Sequence, residues 1–121
     1  MVEPLALVIY PRILPGSQLV NRLQELNYRV ETISHRENLV EKVQSSKPLI
    51  VIIDLDSDAK STLAAIRELR ENASTSHIAI IGVTGKDLSG SEKVEAGPSL
   101  VVSESAILNH LSQCLERALE L

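Results

Sequence analysis

Leu49-Ile-Val-Ile-Ile-Asp54 places five apolar residues, most of them β-branched, directly before a carboxylate. A run that short and that continuously apolar suits a strand buried on both faces, and such strands belong to parallel sheets covered by helices. The pattern predicts a central strand whose Asp54 emerges at the C-terminal edge. Comparable runs occur at Leu5-Ala-Leu-Val-Ile-Tyr10, His77-Ile-Ala-Ile-Ile-Gly-Val-Thr84 and Ser99-Leu-Val-Val-Ser103. Tyr28-Arg-Val-Glu-Thr-Ile33 instead alternates with period two, as expected near a sheet edge.

Between these runs lie helical patterns. After the Pro15-Gly16 break, Ser17 opens a helix through Leu19, Val20, Leu23 and Leu26. Ser34 and Glu37 form a capping box ahead of Leu39, Val40 and Val43. Leu63, Ile66 and Leu69 mark a third helix, and a final helix is expected to run to the C-terminus. The Gly- and Ser-containing stretch 85–97 supports only a short or mobile helix. Five strands alternating with five helical segments predict an α/β fold with a parallel sheet between helices. Right-handed crossovers would then gather Tyr10, Pro11, Asp54, Thr84 and Ser103 on one edge, where ligands usually bind in such sheets.

Composition narrows the function. A chain of 121 residues with 44% hydrophobic content is expected to form one domain over 1–121. No apolar run approaches the roughly 20 residues of a spanning helix, and the first one is too short for a signal peptide. One cysteine excludes an intrachain disulfide and fits the cytoplasm. A net charge of −4, with no Phe or Trp, argues against nucleic-acid or anionic-membrane partners.

Several of these residues, in this order, resemble the receiver domain of two-component response regulators. Leu49-Ile-Val-Ile-Ile-Asp54 matches the phosphoacceptor strand, and Ile78-Ala-Ile-Ile-Gly-Val-Thr84, ending 30 residues later, matches the strand that closes on the family's Ser or Thr. Leu26-Asn27-Tyr28 stands at the Leu-Gly-aromatic turn. Ala96-Gly97 followed by Leu100-Val-Val-Ser103 stands at the Ala-Gly and last-strand pattern. The resemblance covers essentially the whole chain. It implies a flavodoxin-like, CheY-like three-layer α/β/α sandwich, with a five-stranded parallel sheet in the order 2-1-3-4-5. It also implies a phosphoacceptor at Asp54, a switch hydroxyl at Thr84, and a histidine kinase or output domain as partner.

The departures are specific. The family's Mg²⁺-binding acid pair falls on Tyr10 and Pro11, its Lys on Ser103 and its switch aromatic on Leu100. Without those ligands, a phosphoryl group on Asp54 would face Asp56 and Asp58. Each like-charge pair at about 4 Å costs ~1 kcal/mol in water and ~4 kcal/mol at an effective dielectric near 20. Mg²⁺ ordinarily offsets that repulsion. Asp56 and Asp58 could replace ligands only from a loop, and Arg12 and Lys86 are the nearby cations. The expectation is therefore a non-catalytic, degenerate receiver that works by protein interaction and needs no cofactor. The alternative is a receiver phosphorylated at Asp54 with Mg²⁺. Arg12 could pair bidentately with Asp54 or simply be solvated.

Other motifs carry less. Asp54-Leu-Asp56-Ser-Asp58 lacks the Gly and Glu of a calcium loop, and helix capping by Asp56, Ser57 or Asp58 accounts for it. It also lacks the downstream partners of an aspartyl phosphatase. His110 and Cys114 share a helix face but have no second ligand pair. Gly82-Val-Thr-Gly-Lys86 is too short for a phosphate loop, and no Ser sits in a nucleophile elbow. On the last helix, Ile107, Leu108, Leu111, Cys114, Leu115, Ala118 and Leu119 would span roughly 140° at about 100° per residue, more than a core stripe needs. That excess nominates Leu108, Leu115 and Leu119 as a partner or homodimer surface.

Overall fold

The computed structural model describes residues 4–10, 13–33, 39–55, 59–84 and 100–120. Its five strands are β1 (Leu5–Ile9), β2 (Arg29–Ile33), β3 (Ile50–Asp54), β4 (Ala79–Thr84) and β5 (Leu100–Ser103). All neighbours pair in parallel, in the order β2-β1-β3-β4-β5. Every residue of β1 and β3 is buried, as continuous apolar runs require, whereas the edge strand β2 is only partly covered.

Strand alternation divides the core in two. Ala6, Val8, Ile50, Ile52, Ile81 and Val83 point to one face, covered by α1 (Ile13–Glu25), α4 (Glu104–Asn109) and α5 (Leu111–Glu120). Leu7, Ile9, Val51, Ile53 and Ile80 point to the other, covered by α2 (Leu39–Ser46) and α3 (Ala59–Glu71). Each such side chain contributes about 1.5–3 kcal/mol as an upper estimate. This is the predicted three-layer sandwich.

The turn after α1 is set by Asn27, which adopts a left-handed φ of 67°. Asparagine tolerates that region through local hydrogen bonding. The Asn27 and Tyr28 N–H groups then reach back to the carbonyls of Gln24 and Leu23 at 3.0 and 3.1 Å.

Two helix expectations are corrected. Helix α1 begins at Ile13, so Pro15 and Gly16 lie inside its first turn rather than ahead of it. A first-turn proline removes only an N–H that has no intrahelical partner. The last helix is two helices, broken at His110, whose φ and ψ are −132° and 40°. The His110 N–H still donates to the Ala106 carbonyl, and the Cys114 N–H then donates to the His110 carbonyl. Neither Pro nor Gly marks this break. The capping-box residues 34–38 and the stretch 85–99 lie outside the described residues.

Candidate functional site

The C-terminal edge of the sheet brings Tyr10, Asp54, Thr84 and Ser103 to one side of the molecule, as the topology predicts. Asp54, the last residue of β3, is 0% exposed and Thr84, the last of β4, is 5% exposed. Beyond Asp54 the chain stays bound to the sheet, because the Leu55 N–H donates to the Val83 carbonyl at 2.8 Å. The Leu55 side chain then lies over Gly82. A Cβ built there would come within 2.7 Å of Leu55 Cδ1, so glycine is what lets this chain cross β4 closely. The sequence pattern did not single out this contact.

The outer positions are engaged differently. Half-buried Tyr10, just past β1, donates its hydroxyl to Glu104 Oε2 at 2.8 Å. Ser103, at the end of β5, caps α4 by accepting the Ala106 N–H on its hydroxyl at 3.1 Å. Its φ and ψ of −75° and 158° are extended, as an N-cap requires. Glu104 falls in the first turn of α4, where the helix dipole favours a carboxylate. Sequence reading missed Glu104. Its one local signal was a hydroxyl followed by an acid before an apolar helix.

Tyr10, on which the sequence resemblance places one of the family's metal-binding acids, is bonded to a neighbouring carboxylate. Among the described residues, no three His, Cys, Asp or Glu side chains gather into a cation site. Pro11, Arg12, Asp56, Ser57, Asp58 and Lys86 lie outside the described residues, and with them the Arg12 pairing.

The predicted surface on the last helix is redistributed by the break at His110. Leu115 is 4% exposed and packs in the first core, which removes it from any free patch. Leu108 is half-buried beside α1, and Leu119 is exposed but sits toward the opposite edge of the sheet. With Leu115 buried and Leu108 and Leu119 beside different parts of the molecule, the three side chains form no single face. Cys114 is buried, and burial pushes its thiol up despite Arg117 nearby. Its Sγ faces the Ala106 carbonyl at 3.9 Å, which suits a core thiol.

No protein-family profile matches this chain, and neither does any curated protein. Solved structures do. The receiver domain of a sensor histidine kinase from Pseudomonas aeruginosa, which holds a magnesium ion in its active-site cleft, superposes with a TM-score of 0.84 at 18% identity, covering 99% of this chain and 100% of that one. A putative response regulator from Chloroflexus aurantiacus gives 0.84 at 17% identity, with the same coverage. The Vibrio cholerae chemotaxis protein CheY4 gives 0.82 at 17% identity over 97% and 99% of the two chains. The architecture is therefore that of the flavodoxin-like parallel sandwiches. Within them, the chain has the CheY-like response-regulator receiver fold. No described helix is long and apolar enough to cross a membrane.

Proposed function

We propose that this chain is a receiver-fold signalling module that works through protein contact, without Mg²⁺-dependent phosphoryl transfer at Asp54. The observation that carries this reading is the Tyr10–Glu104 hydrogen bond, which stands where an acid would otherwise face the metal. Two others support it: the Ser103 hydroxyl caps a helix where the receiver pattern has Lys, and Asp54 is buried from solvent. A phosphodonor must approach in line with the attacking oxygen, and burial of the carboxylate hinders that approach. The partner on this reading is a protein of a two-component system, a histidine kinase or an output domain. Leu108 and the adjoining face of α4 are the contact surface, and the setting is the cytoplasm.

A second reading has its own support. Asp54 pairs in register with Val83, so the retained carboxylate and the Thr84 hydroxyl end adjacent strands, as in a phosphoacceptor site. Intact mass after incubation with a small acyl phosphate and Mg²⁺ separates the two. No adduct is expected. A stoichiometric phosphoryl adduct that is lost in Asp54→Asn would establish the phosphoacceptor instead.

A further inference from the structure

The opposite edge of the sheet, where β3 and β4 begin, holds a hollow of about 790 Å³. That is the size of a site for a small organic molecule. Among the described residues, its walls include Lys47, Arg70 and His77 and no Asp or Glu, in a chain whose acids outnumber its Lys and Arg by 16 to 12. Among the described residues, three large hydrophobic side chains are exposed, and two of them, Leu49 (45%) and Leu119 (41%), line this hollow. Positive charge and exposed apolar surface are thus concentrated in one concavity.

The walls are held in shape. Arg70 Nη1 donates to the carbonyls of Ser76 and Ile78 at 2.9 and 2.6 Å, which fixes the turn between α3 and β4. The buried Thr75 hydroxyl donates to the Leu69 carbonyl at 2.6 Å, anchoring that turn to the helix. Gln44 Nε2 donates to the Ser74 hydroxyl at 2.9 Å, bridging α2 to the same turn. A braced wall gives up little freedom when a ligand binds. Lys47 ends α2 in the left-handed conformation, φ 50°, with its N–H donating to the Val43 carbonyl at 2.9 Å, and so stands on the rim.

We infer that this hollow binds a small amphipathic anion, a carboxylate or phosphate head carried on an apolar body. The head lies against Lys47, with Arg70 adding its charge to the wall that it braces, and the body lies between Leu49 and Leu119. This site is separate from the Asp54 edge and does not depend on the reading proposed for it.

The test is a titration of the isotopically labelled chain, followed by amide chemical shifts, with octanoate, octyl phosphate, octanol and inorganic phosphate as separate probes. Saturable shifts confined to residues 43–49, 74–79 and 118–119 are expected with octanoate or octyl phosphate at millimolar concentration. Whichever binds tighter identifies the head group. Octanol and inorganic phosphate are expected to bind at least about tenfold more weakly, since each lacks one half of the ligand. Lys47→Gly should weaken binding of the preferred anion roughly three- to tenfold while leaving the fold as stable or more so, which separates loss of charge from misfolding. Absence of saturable shifts with both amphiphiles, equal binding of octanol, or unchanged affinity in Lys47→Gly would each overturn the assignment.

Discussion

The ends of β3 and β4 and the ends of β1 and β5 line the same edge but are stabilised in different ways. Asp54 and Thr84 are buried at the ends of strands packed on both faces. Tyr10 and Ser103 are half-buried and make directed hydrogen bonds, to Glu104 and from Ala106. Both bonds converge on the first turn of α4. Burying a carboxylate costs free energy that an apolar side chain would not, so packing alone does not account for Asp54, whereas directed hydrogen bonds account for Tyr10 and Ser103. The outer pair instead fixes the start of α4 through its hydroxyls.

The largest test of this contrast is core truncation beside the retained carboxylate. Ile53→Ala, at a residue with 0% exposure, is expected to destabilise the chain by about 3 kcal/mol in chemical denaturation. Gly82→Ala forces the Leu55 side chain aside and is expected to cost about 1–2 kcal/mol, with Leu55→Ala relieving part of it in the double variant. Tyr10→Phe and Ser103→Ala should each cost about 1 kcal/mol. Because the two bonds share one helical turn, the double variant should depart from additivity; strict additivity would show that the outer positions are independent.

The smallest effect lies away from this edge, on β2. Lys42 Nζ sits 2.8 Å from Glu31 Oε2, and that hydrogen bond, with help from the Ser46 hydroxyl, holds the Glu31 carboxyl below its ordinary value. A depressed folded-state pKa stabilises above the unfolded value, and the gain is lost as pH falls through the folded one. Exposure of the pair limits the gain to a few tenths of a kcal/mol. Lys42→Ala should therefore lower stability slightly at neutral pH and leave it unchanged in acid below the folded pKa of Glu31.

Much of the fold was legible because its signals are local. The run ending at Asp54 predicted a buried strand, the alternating run a sheet-edge strand, and Leu26-Asn27-Tyr28 a turn whose centre proved left-handed. The break at His110 was not legible. Asn109 and His110 are only moderately poor helix formers, and Ile107 and Leu111, on either side of the break, both pack into one core. That packing is also why Leu115 is covered and Leu119 is not. Of the site, sequence located the strand ends but not Glu104, whose role depends on a tyrosine far away in the chain.

That distance has a consequence for biogenesis. Ninety-four positions separate the Tyr10 hydroxyl from its acceptor. At the pace of ribosomal elongation the acceptor is made about 5–20 s after the donor. The clasp therefore closes only after nearly all of the sheet has been synthesised, as a seal on a finished assembly rather than a guide to making it.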